Sequence, residues 1–279
     1  MSRARAIRAR LVILSLCCVS SWACARDSDL LKREHLRSGD AFASQGRTKE
    51  AIIEYRNAAQ IDARYGEARY KLAALLLKTG DVPGAAREYV RAADLLPGNL
   101  DAQVKAGELL SLSGQLVDAG ARADKALAIN PNSVEALILK GNTLAGLMDL
   151  DGALRGVQRA IELDPARATS YTSLGFIQAT RGSLPEAERA FRRAVEVDPK
   201  SIEARLALAN FYWTVGRAAE AETALKNALA HAPRNPVANR ALALFYVVSN
   251  RPRQAEPHLR VLIEDTDLHD PLGGSCRDR

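Results

Sequence analysis

The sequence predicts an all-α fold, an α-solenoid of stacked antiparallel helix hairpins, and three observations carry that prediction. Aromatic residues make up 5% of 279 residues while the apolar fraction is 47%, so the core is built from Ala and Leu, which favour helix over sheet. From residue 32 onward the chain repeats itself every 34 residues, and a fixed period of that length is the mark of a repeat array. The residues that recur are small ones, glycines and prolines, at positions where two short helices would have to touch, turn and stop.

The elements follow in chain order. Residues 1–25 place Arg3, Arg5, Arg8 and Arg10 before an apolar stretch from Leu11 to Val19 and small residues around Ser20, Ser21 and Ala23. That order is a secretory signal peptide, too short in its apolar part to span a bilayer. Two cuts fit. Ser21-Trp22-Ala23-Cys24 resembles a bacterial lipobox, giving a signal peptide of residues 1–23 and a lipidated Cys24, although Ser21 stands where Leu is usual. Ala23-Cys24-Ala25 also satisfies the A-x-A rule, with Arg26 as the new terminus. Cutting before Cys24 removes four arginines and no acids, which lowers the formal charge from +6 to +2. Nucleic acid loses its electrostatic case as a partner.

A polar linker is expected at 24–31, then seven repeats at 32–65, 66–99, 100–133, 134–167, 168–201, 202–235 and 236–267, and an unstructured tail at 268–279. The eighth position of each block is Gly39, Ala73, Gly107, Gly141, Gly175, Ala209 or Ala243. A glycine inside a helix costs about 1 kcal/mol against Ala, which is tolerable where two helix axes cross closely. Position twenty is always Ala, from Ala51 to Ala255, and is the expected opposing surface. Position fifteen is Gly46, Gly80, Gly114, Gly182 and Gly216, with Met148 and Asn250 in the other two blocks; a left-handed residue there ends the first helix. Position thirty-two is Pro97, Pro131, Pro165, Pro199 and Pro233, closing the second helix. Ser183 with Glu186 reads as a capping box, with Pro185 in the permissive first turn. Pro257 should remove a backbone bond from the last helix and bend it.

This pattern of Gly-eight, Ala-twenty and Pro-thirty-two resembles the tetratricopeptide repeat, and with the leader in front the chain resembles exported bacterial lipoproteins of that family. The resemblance implies a right-handed superhelix whose first helices line a concave groove. It further implies that positions two, five, nine and twelve of those helices face inward. The candidate partner-binding residues are Tyr70 at position five, Asn142, Phe176 and Asn210 at position nine, and Trp213 at position twelve. In this family the groove Asn hydrogen-bonds the backbone of an extended peptide, a role that falls to Asn142 and Asn210. Position five holds no Lys, so the carboxylate clamp of chaperone-tail binders is not reproduced. Position six (Arg37, Lys71, Lys105, Leu139, Ser173, Ala207, Ala241) lacks the Asn ladder of the glycosyltransferase superhelix. The family closes with a polar capping helix, and none is legible here.

Little else in the sequence is chemical. His35, His231, His258 and His269 have no partner at metal-ligand spacing, and they read as surface or interhelix residues. There is no phosphate loop, dinucleotide fingerprint or nucleophile elbow, and Gly273-Gly274-Ser275-Cys276 belongs to the expected tail. The charges Glu186, Glu188, Arg189, Arg192 and Arg193 read as a solvated helix face. The expectation is therefore a non-catalytic scaffold of the cell envelope, without cofactor, metal or small-molecule substrate. It would bind a protein or peptide in its groove, anchored to the membrane by lipid at Cys24 and facing the periplasm, with the outer membrane favoured and a soluble periplasmic form as the alternative. In size and layout it resembles the pilotins of type IV pilus secretins, which suggests assembly or export of an envelope complex. The alternative is the substrate-recruiting arm of a larger enzyme.

Overall fold

The computed structural model describes residues 27–269, with side chains to residue 264. The leader with Cys24, and the tail from 270 with Cys276, lie outside the described residues. Within them the chain forms fourteen helices and no strand. They fall into two units that meet in sequence at Pro131 and Asn132.

The first unit holds α1 (27–44), α2 (Thr48–Ile61), α3 (Gly66–Lys78), α4 (Val82–Leu95), α5 (Leu100–Leu112) and α6 (Leu116–Ile129). The second holds α7 (Val134–Gly146), α8 (Leu150–Leu163), α9 (Ala168–Arg181), α10 (Leu184–Val197), α11 (Ile202–Thr214), α12 (Ala218–His231), α13 (Pro236–Val248) and α14 (Pro252–His269). Each odd helix pairs with the next even one as a hairpin, and each even helix then packs on the first helix of the following hairpin within its unit.

Each first helix stops at the fifteenth position. Gly80 has φ +85°; its amide donates to the Leu77 carbonyl, and the next amide, of Asp81, donates to that of Leu76. This pair of bonds satisfies carbonyls that the helix end would otherwise leave open. Met148 (φ 66°) and Asn250 (φ 58°) take the same left-handed conformation without being glycine, and the corresponding bonds are kept from Asp149 to Leu144 and from Arg251 to Tyr246.

The small residues sit where the hairpins close. Position twenty is at most 1% exposed in all seven hairpins. The surface opposing position eight, however, is chiefly position twenty-four, not twenty. A Cβ on Gly39 would stand 2.5 Å from the Tyr55 ring, one on Gly175 2.8 Å from the Phe191 ring, and one on Gly141 2.6 Å from Val157 Cγ2. At Gly141 position twenty also presses in, through the Ala153 carbonyl oxygen at 3.2 Å. These three glycines make room for the side chain at position twenty-four of the partner helix.

Three further expectations need correction. Residues 27–31 are not linker but the first turns of α1, where Asp29 pairs with Lys32 and Arg33 at helical spacing. The last helix continues through Leu268 and His269. Pro257 lies inside it and, as expected, donates no bond to the carbonyl of exposed Arg253, which water can serve. The capping box does not form. Ser183 makes no side-chain cap bond, and the Glu186 carboxylate, which would close the box from the other side, turns forward to Arg189 Nη2 at 2.7 Å. Pro185 does lie in the first turn.

Candidate binding face and inter-repeat clamps

Four of the five candidate binding residues, Asn142, Phe176, Asn210 and Trp213, lie on the first helices of the second unit, where α7, α9, α11 and α13 contact one another in succession. Asn142 and Asn210 are exposed, and neither side-chain amide has a hydrogen-bond partner among the described residues. Phe176, the ninth-position residue between them in repeat order, is 51% exposed. Its ring stands edge-on to Phe191 at 5.1 Å, which holds one side of the phenyl group while leaving the other to solvent. Trp213 does not simply face solvent: it is half-buried and packs edge-on against Phe245 of the next hairpin at 5.4 Å. Leu244 and Val247 extend the same strip, each more than half exposed.

Tyr70 belongs to the first unit and to a different chemistry. Its hydroxyl donates to Asp101 Oδ2 at 2.6 Å, and its ring meets Tyr89 edge-on at 5.8 Å. Burial first, then the bond to Asp101, push its pKa far above the usual phenol value, so the hydroxyl stays a committed donor. Around it the first-helix face is charged. Lys71 Nζ bridges Asp40 and Glu67 at 2.8 and 3.1 Å, Tyr55 donates to Asp40 at 2.7 Å, and Lys105 pairs with Glu108. These groups are satisfied by one another, whereas the second unit offers unspent amides and apolar rings.

Two features were not foreseen. In the second unit a three-residue clamp joins successive hairpins, twice. Glu188 accepts from Tyr212 Oη at 3.0 Å and pairs with Arg217 at 2.6 Å, while the Arg217 guanidinium lies over the Tyr212 ring at 4.6 Å. One repeat later Glu222, Tyr246 and Arg251 do the same, at 3.1, 2.6 and 4.8 Å. Glu188 is thus not part of a merely solvated face. Burial raises its pKa, but its bonds to Arg217 and Tyr212 outweigh that and hold it low. Bonds from Arg251 and Lys226 take Glu222 to about 2. The signal was available in the 34-residue spacing of Tyr212 and Tyr246, Arg217 and Arg251, Glu188 and Glu222.

The second feature is a staple at position four. That side chain reaches back to the carbonyl at position thirty-two of the preceding repeat: Arg69 to Ala63 at 2.8 Å, Tyr171 to Pro165 at 3.1 Å, Arg205 to Pro199 at 2.5 Å and Asn239 to Pro233 at 2.8 Å. Position four also meets position twenty-three of its own hairpin, in His35–Glu54 at 2.6 Å, Arg69–Glu88 at 2.5 Å, Gln103–Arg122 at 3.3 Å and Asn239–His258 at 2.9 Å. Two of the four histidines are thereby interhelix residues. Among the described residues no three His, Cys, Asp or Glu side chains form a group that could hold a metal ion. No described helix is long and apolar enough to cross a membrane.

Comparison with known proteins agrees with this architecture. Models of the TPR repeat match residues 39–80, and models of the tetratricopeptide repeat match 70–134 and 138–202 as well as 179–226 and 212–272. A tetratricopeptide repeat protein from Parabacteroides merdae is similar in structure, with a TM-score of 0.65, 16% identity, and coverage of 84% of this chain and 93% of that one. The Cut9–Hcn1 hetero-tetramer of the APC/C gives 0.55 at 19% identity over 78% of this chain and 45% of that one. MamA from Desulfovibrio magneticus RS-1, from residue 41 to its end, gives 0.53 at 21% identity, over 61% and 96%. At these identities the likeness is one of fold. A search of curated proteins finds no match.

Proposed function

The chain belongs to the tetratricopeptide-repeat family, whose repeats make it an interaction scaffold for protein or peptide partners, and we propose that it works as a non-catalytic scaffold of the bacterial cell envelope. On this reading an extended peptide segment lies along the first-helix face of the second unit. One observation carries it: exposed Asn142, Phe176 and Asn210 occupy three successive ninth positions, the two amides unpartnered and the ring held on one side only. Amides of this kind can pair with both the N–H and the C=O of a peptide backbone, and a half-seated ring offers apolar area already fixed in orientation. The basic, apolar, small-residue order of the first 25 residues supports export, and the lipobox-like Ser21-Trp22-Ala23-Cys24 supports a lipid anchor at Cys24, with assembly or export of an envelope complex as the setting.

The test is affinity capture from an envelope fraction, followed by calorimetry on the captured partner with Asn142→Ala, Asn210→Ala and Phe176→Ala. Each amide loss should weaken binding by about 1 kcal/mol with the melting temperature nearly unchanged, and Phe176→Ala should weaken it by more, with some loss of stability from its contact with Phe191. Full affinity in all three folded variants would move the site off this face. Mass spectrometry of the mature N-terminal peptide decides between a diacylated Cys24 and a free Arg26.

A further inference from the structure

We propose that a cleft in the sixth hairpin is a binding site for a carboxylate carried on a short apolar stem. The cleft, ≈ 360 Å³, lies between α11 and α12 beside α10 and is lined by Val195, Arg205, Leu208, Tyr212 and Ala224. That volume is at the lower end of the range for small-ligand sites.

The second hairpin provides an internal control. Four repeats earlier the equivalent cleft is lined by Ala59, Arg69, Leu72, Leu76 and Glu88. There Arg69 donates through Nε to the Ala63 carbonyl and through Nη1 to the Glu88 carboxylate at 2.5 Å. In the sixth hairpin Arg205 keeps the equivalent carbonyl, that of Pro199, through Nη2. Glu88, however, is replaced by Ala224. The carboxylate and the γ-methylene that carries it are gone, and Arg205 forms no ion pair among the described residues. Its Nε is shielded from solvent and has no hydrogen-bond partner.

A guanidinium donor without solvent or partner is costly, and Arg69 shows the pose that leaves none, with Nε on the preceding carbonyl and Nη1 turned to a carboxylate. The ligand that fits brings the missing carboxylate, on a stem that fills the place of the missing methylene against Val195, Leu208 and the Tyr212 ring. The other charged groups at the cleft are committed. Glu220 is held by Arg217 at 2.8 Å, and the Tyr212 hydroxyl bonds Glu188 and Arg192. The shared chemistry has two sources, a free short-chain acid and the C-terminal carboxylate of a peptide ending in an apolar residue.

The experiment follows the arginine Nε–H resonances of the ¹⁵N-labelled full chain, with Arg205 assigned through Arg205→Gln. Sodium butyrate, an acetylated Ala-Ala-Val tripeptide with free carboxylate, and the same tripeptide as carboxamide are titrated separately. The expected result is a saturable Arg205 shift with a carboxylate and none with the carboxamide. Response to butyrate alone assigns a small acid, and response to the tripeptide acid assigns a chain terminus. Ala224→Glu, which rebuilds the internal pair, should weaken either response at least about tenfold and raise the melting temperature. A saturable shift that persists unchanged in folded Ala224→Glu, an equal shift with the carboxamide, or no shift with either acid would each overturn the proposal.

Discussion

Val157 Cγ2 lies 2.6 Å from the point where a side chain on Gly141 would begin. The close approach of α7 and α8 is thus set by a pair, one residue without a side chain and one β-branched side chain that fills the space. Gly141→Leu should destabilise the protein by about 1–3 kcal/mol or more, since added methylenes in a packed core force neighbouring groups to move. Adding Val157→Ala should recover part of that loss, whereas Val157→Ala alone should be destabilising. Denaturant melts of the three variants check this. Additive effects would mean that the two residues do not oppose each other.

Met148 is left-handed and 68% exposed, so it carries backbone strain without contributing much packing. Left-handed backbone costs an L-residue about 1–2 kcal/mol, and glycine gives back about 0.5–1 kcal/mol through unfolded-state entropy. Met148→Gly should therefore stabilise by about 0.5–1 kcal/mol. Asn250→Gly should give less, because Asn tolerates this conformation.

Trp213→Ala should act on two quantities at once. The ring's contact with Phe245 predicts a lower melting temperature, with about 0.5–1.5 kcal/mol from the aromatic pair beyond the loss of buried area. Its half-exposed face, if it anchors a partner, predicts weaker binding by about 2 kcal/mol. Asn210→Ala should touch binding alone. Because the strip formed by Asn142, Phe176, Asn210 and Trp213 carries no charge, affinity should change little with salt, unlike a phosphate-binding surface.

The Glu222 clamp sets an acid limit. Its ordinary pKa is 4.5, and Arg251 and Lys226 lower it to about 2 in the fold. The folded state thus binds fewer protons than the unfolded one between those values. The clamp's contribution is complete above about 4.5 and is lost as pH falls towards about 2. Glu222→Gln should lower the melting temperature at neutral pH, and the gap from the parent protein should close across that window. A gap independent of pH would show that the carboxylate charge contributes nothing to the clamp.

The hairpins were legible because their makers recur at one period: the fifteenth-position residue, the buried Ala at twenty and the small residue at eight. Their partners at twenty-four were not, because Tyr55, Val157 and Phe191 differ in everything except the space they fill. Glu188 was misread because a Glu near arginines on its own helix looks the same whether its bonds stay there or cross to the next repeat, as its bond to Arg217 does. At Trp213 a helical position does not reveal that Phe245 stands against one side of the ring. At Tyr70 the residue type was suggestive, while the partner that commits its hydroxyl, Asp101, comes from the following repeat.

The position-four staple bears on how such an array can gain or lose a repeat. The donor sits at the start of one hairpin and the acceptor at the end of the one before, so the bond belongs to the junction. Arg205 takes the Pro199 carbonyl as Tyr171 takes that of Pro165. Excising residues 166–199 would bring Arg205 to Pro165 with the same number of intervening residues as it has to Pro199 now. The junction is therefore interchangeable in a way the clamps are not, since the same excision removes Glu188 and leaves Arg217 and Tyr212 without it. Duplication or deletion of whole repeats is tolerated by the backbone joint and penalised by the side-chain pairings that have come to depend on particular neighbours.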